Sequence, residues 1–188
     1  MKKVVVLLCL FWGVNSSFSI AQKRTVAGVS FPAKVEVAEK TLIYNGAGLR
    51  EKYMIDLYVS ALYLKRPSMD ANKIIEDDAL MGIHIELVSN KVTRDKFVET
   101  VREGFEKASH GTATSEEIKL FMDAFSAAFK KGDKIHLNYV PGRGTYVKKN
   151  GQVLTRVPGL EFKKALFSIW LGTRPADGTL KKGMLGKV

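Results

Sequence analysis

Asp56-Leu57-Tyr58-Val59-Ser60-Ala61-Leu62-Tyr63-Leu64 is the stretch on which the fold class turns. Side chains alternate along a strand, so Leu57, Val59, Ala61 and Tyr63 share one side. Tyr58, Ser60, Leu62 and Leu64 share the other. Apolar groups stand on both sides, so the run reads as a central strand covered on both faces.

Upstream, Val35–Val37 and Thr41–Tyr44 are short extended candidates. Asn45-Gly46-Ala47-Gly48 reads as a turn or bulge, and Leu49–Met54 as a further strand. Downstream, Gly82–Leu87 is a half-buried strand with Ile83, Ile85 and Leu87 inward and His84 and Glu86 outward. The period then changes to helical. Thr93 is placed to cap a helix with the apolar face Phe97, Val98, Val101 and Phe105. Thr114 with Glu117 makes a capping-box pattern ahead of Ile118, Phe121, Met122, Phe125 and Phe129, which predicts a helix ending at Gly132. Ile135, Leu137 and Tyr139 alternate as a strand. Asn150-Gly151 joins two more strands, since this pair favours the tight primed turn. A last helix runs from about Leu160 to Leu171, with Phe162, Leu166, Ile169 and Trp170 inward, closed by Gly172 and Pro175. Strands, two helices, three strands and one helix predict the α+β class, an antiparallel sheet with helices on one face.

The first residues carry the pattern of an export signal: Lys2-Lys3, an apolar run from Val4 to Trp12, then Ser19-Ile20-Ala21. Cleavage before Gln22 is expected, leaving residues 22–188 as one domain and placing the protein in the periplasm or outside the cell. Asn15-Ser16-Ser17 interrupts the apolar run before it reaches the ~20 residues of a membrane span. Cys9, the only cysteine, lies in the leader, so the mature chain has no disulfide, thiolate nucleophile or cysteine ligand. Losing Lys2 and Lys3 takes the net charge from +11 to +9. The remaining basic residues come as scattered pairs such as Lys148-Lys149 and Lys163-Lys164. They read as a solvated basic surface, not the dense stripe of a nucleic-acid face.

His84, His110 and His136 are the only histidines and lack metal-ligand spacing, so neither metal nor cofactor is expected. No Gly-x-Ser-x-Gly is present. The most informative polar residues are Arg50 and Tyr58. An arginine under a helical layer is costly unless paired, and its planar fork suits a carboxylate or a carbonyl. Without a ligand, Arg50 would pair with a structural acid such as Glu36 or reach solvent.

Gly28-Val29-Ser30-Phe31-Pro32-Ala33-Lys34-Val35, Gly46-Ala47-Gly48-Leu49-Arg50, Leu57–Leu64 and Leu166-Phe167-Ser168-Ile169-Trp170-Leu171-Gly172 together resemble the chalcone isomerase superfamily, closest to its exported bacterial branch. The resemblance implies an open-faced β-sandwich, a large antiparallel sheet carrying helices, with a ligand cleft between the layers. It also implies that Arg50 stands where the plant enzymes polarise a ketone. Their threonine on the next strand corresponds to Tyr58, their catalytic tyrosine to about Val92, and a serine or threonine of the last helix to about Ile169. An arginine followed by a tyrosine is instead similar to the non-catalytic, fatty-acid-binding branch. The resemblance therefore implies a small amphipathic acid held by Arg50 and Tyr58, with Phe121, Phe125 and Trp170 as candidate walls. An isomerase acting on a conjugated ketone, or a structural envelope protein with no ligand, are the alternatives.

Overall fold

A computed structural model describes residues 23–187, so the expected leader and its cleavage point lie outside the described residues. A two-stranded ribbon, β1 (Lys23–Val26) and β2 (Val29–Pro32), comes first. The main sheet holds β3 (Lys34–Val37), β4 (Lys40–Lys52), β5 (Ile55–Leu64), β6 (Met81–Leu87), β7 (Lys134–Val140), β8 (Gly144–Lys149) and β9 (Gln152–Val157). These seven strands follow chain order across the sheet, and every pair is antiparallel. Among the described residues five helices accompany the sheet in this α+β fold: α1 (Ala71–Glu76), α2 (Arg94–Glu106), α3 (Ser115–Asp123), α4 (Leu160–Leu171) and α5 (Gly178–Met184).

The double-sided reading of β5 holds. Val59, Ala61 and Tyr63 join a core with Val29, Phe31 and Leu42 beneath the ribbon. Leu62 and Leu64 face the helices with Phe121, Phe162, Leu166 and Trp170. The caps read from the sequence are present. Thr93 Oγ1 accepts from Lys96 N–H, and the Thr114–Glu117 box closes with bonds of 2.8 and 3.2 Å. Asn150-Gly151 forms the β8–β9 turn with both φ positive.

Four expectations need correction. First, the small-residue run is the bulge of the two forms expected, near Asn45, so the candidates on either side of it are one strand over residues 40–52. Second, α3 stops at Asp123 although Phe125 and Phe129 remain buried. Arg94 Nε donates to the Phe125 carbonyl at 2.8 Å, taking the acceptor that the Phe129 N–H would need in a continuing helix. Third, His84 is buried, because the ribbon covers the face that alternation alone assigns to water. Fourth, Lys163 is fully buried. Its ammonium donates to the carbonyls of Ile74, Ile75 and Asp77 at 3.1, 2.7 and 2.7 Å, closing the C-terminal end of α1.

The two glycines of β4 have a packing origin. A side-chain carbon on Gly46 would stand 2.2 Å from the Gly183 carbonyl oxygen, and one on Gly48 would stand 2.6 Å from that of Leu180. Helix α5 thus lies backbone-to-backbone on the strand, an approach only glycine permits. Asn45 Nδ2 fastens the far end of α5 through the Met184 carbonyl at 2.9 Å.

Candidate functional site

Arg50 and Tyr58 are register partners across β4 and β5. Both are partly buried, and the Arg50 side chain keeps 13% of its exposure. Seating α5 on Gly46 and Gly48 brings its N-cap, Asp177, beside Arg50. One Asp177 oxygen accepts from the Leu180 N–H at 2.9 Å, while the other stands 3.9 Å from the guanidinium. That separation is an ion pair without a hydrogen bond. The carboxylate near Arg50 is therefore Asp177. The alternative partner Glu36 lies elsewhere, accepting from the Thr41 hydroxyl at 2.6 Å.

Trp170 Nε1 donates to the Tyr58 hydroxyl oxygen at 3.2 Å. Burial raises the Tyr58 pKa, opposed by the charge of Arg50 and the Trp170 bond and reinforced by Asp177. Tyr58 is therefore a neutral phenol whose oxygen already accepts one bond, leaving its O–H to donate. The Arg50 guanidinium, which makes no hydrogen bond among the described residues, adds further donors at the same register position. Such a set suits an anionic or carbonyl oxygen.

The two further positions to which the resemblance points, about Val92 and about Ile169, are apolar. Val92 is buried just ahead of α2, and Ile169 packs on α2, where a carbon added to Gly104 would meet it at 2.9 Å. Neither side chain can move a proton. Phe121, Phe125 and Trp170 are 0%, 1% and 3% exposed, so all three belong to the closed layer between helices and sheet. Phe125 stacks edge-on with Phe97, Phe121 and Phe129, with ring centres 4.9 to 5.6 Å apart.

Two concavities among the described residues lie away from Arg50. A cavity of about 260 Å³ opens under the ribbon, between Phe31 and Val35 on one side and His84, His136, Asn138 and Lys148 on the other. The His84 and His136 rings stack there, 3.9 Å apart and 8° from parallel. His84 Nε2 donates to Asn138 Oδ1 at 3.0 Å; a carbon on Gly82 would stand 2.5 Å from that oxygen, so this glycine makes room for the bond. A second, open hollow of about 630 Å³ lies by Met69, Lys181 and Leu185. Among the described residues no group of three or more His, Cys, Asp or Glu side chains is placed to hold a metal ion. Sequence reading treated His84 and His136 as separate surface residues; their matching outward positions on successive strands were the signal that they could meet.

The sequence pattern describing chalcone isomerase-like proteins matches residues 23–186. The chain belongs to the chalcone isomerase-like family. This family member also superposes on a crystal structure of an Arabidopsis thaliana fatty-acid-binding protein, AtFAP1, with a TM-score of 0.71 and 21% identity. The alignment covers 87% of this chain and 96% of the plant protein, and it establishes a shared fold. No curated protein sequence matches the chain. Among the described residues no helix is long and apolar enough to cross a membrane.

Proposed function

We propose that this chalcone isomerase-like protein is exported and acts without catalysis, binding a small amphipathic acid such as a fatty acid. Arg50 and Tyr58 would receive the carboxylate. The acyl chain would enter the phenylalanine-rich layer between α2, α3 and the sheet by parting it. One observation carries the reading: a shielded guanidinium is the register partner of a phenol that can donate, and the Asp177 carboxylate beside it is too distant for a hydrogen bond. Moving an alkyl chain from water into that layer contributes ~0.8 kcal/mol per CH₂, and the charged donors would fix its end. The fold shared with a protein described as fatty-acid-binding agrees with this reading. The apolar Val92 and Ile169 favour binding over isomerisation.

Lipid extraction from the purified protein, followed by titration with palmitate, tests the proposal. Arg50→Ala should weaken palmitate binding by about ten-fold or more, the loss of one charge-assisted contact. Absence of any bound acid, together with equal affinity in the variant, would overturn it.

A further inference from the structure

Four two-residue turns join neighbouring strands: Ala27-Gly28, Ala38-Glu39, Tyr53-Met54 and Asn150-Gly151. All eight residues have positive φ. This is the backbone that tight hairpins require, and a residue with a side chain pays roughly 1–2 kcal/mol to adopt it. Three of the turns use glycine, asparagine, alanine or an exposed glutamate. The β4–β5 turn instead uses two large side chains, with φ of 53° at Tyr53 and 60° at Met54. Neither is held there by packing: Tyr53 is 84% exposed, Met54 93%, and the next residue, Ile55, 40%. Side chains that oppose their own backbone and touch no core point to an external role.

We propose that this hairpin tip inserts into the interface of an anionic phospholipid bilayer. Three side chains of roughly 200 Å² each fall short of the ~800 Å² per partner of a stable protein interface. A bilayer imposes no such minimum, and tyrosine suits its boundary, with an apolar ring and a wet hydroxyl. The charge is favourable: without Lys2 and Lys3 the net charge of +11 is still +9, and the Lys52 ammonium lies 5.4 Å from the Tyr53 ring centre, at the tip itself. Glu51 and Asp56 face each other one step further down the hairpin, and Glu103 of α2 lies within the field of Lys52. These acids stand behind the apolar tip. The choice of a lipid bilayer rests in part on the lipid-carrier reading above, because the same hairpin holds Arg50 and Tyr58, three and four residues from the turn pair. Docking the tip would bring the donor pair to the surface from which an acid is collected.

The test compares wild type with Tyr53→Asn/Met54→Gly, both prepared as the secreted, processed chain. Asn-Gly is the pair this chain uses at 150–151, so the variant keeps its turn and, relieved of the positive-φ cost at Met54, melts at or above the wild-type temperature. The readout is co-sedimentation with vesicles of phosphatidylcholine and phosphatidylglycerol, alongside palmitate affinity in vesicle-free solution. We expect wild type to bind the vesicles and the variant to bind at least five-fold more weakly, with palmitate affinity unchanged. Wild type that stays in the supernatant, or a variant that sediments equally, overturns the proposal. Tip-dependent vesicle binding by a protein with no palmitate affinity upholds it while removing the carrier reading.

Discussion

Acidification should destabilise this protein through one identifiable pair. Burial lowers the pKa of His84 from 6.5 to about 3, helped by the adjacent His136 and Lys148. Burial also lowers His136 from 6.5 to about 4, with Lys148 and Lys134 adding to the effect. Between these values and 6.5 the unfolded chain binds protons that the fold refuses, so stability falls as pH drops through that window and is flat above it. At pH 5 a histidine kept neutral by the fold costs RT ln(1 + 10^1.5), or about 2 kcal/mol. Because His136 is partly exposed, roughly 3 kcal/mol is expected for the pair. Urea denaturation at pH 7.5 and pH 5, on wild type and on His84→Gln/His136→Gln, isolates this contribution from that of the carboxylates. The variant should lose about 3 kcal/mol less than wild type over the interval. Equal losses in the two proteins, within about 0.5 kcal/mol, would refute the assignment of the stack as a neutral buried pair.

The packing of α5 predicts that Gly48→Ala costs about 2–4 kcal/mol by urea denaturation, because the added carbon meets the backbone of Leu180 rather than a movable side chain. A change under 0.5 kcal/mol would mean the helix rests less tightly than this. Lys163→Met keeps the bulk of the side chain but orphans three carbonyls at the end of α1, and should cost about 3 kcal/mol. Thermal or urea unfolding reads it directly. Trp170→Phe removes the donor to the Tyr58 oxygen; it should weaken palmitate binding by about three- to ten-fold by freeing the phenol to turn, with calorimetry as the check.

Much of the fold was legible because local signals agreed with one another. The helix expected from about Leu160 to Leu171 is found at Leu160–Leu171, since its apolar spacing and the glycine that follows point the same way. The helix on α3 was read too long because Phe125 and Phe129 keep helical spacing while a distant side chain, Arg94, takes the carbonyl between them. Spacing cannot reveal such a competitor. Helices α1 and α5 are six and seven residues long, too short for periodicity; only their capping aspartates, Asp70 and Asp177, offered a signal. The residue pattern and the resemblance both pointed to the Arg50–Tyr58 pair. The company it keeps, Trp170 and Asp177, comes from segments more than 110 residues away in the chain and no local pattern joins them.

The contact of α5 with β4 also bears on when the molecule can finish folding. The strip around Gly46 and Gly48 is translated well before Leu180 and Gly183, so it stays bare on a growing chain until those residues have been made. The longest strand thus acquires its cover only when a helix from the far end of the described fold arrives, so this contact closes late.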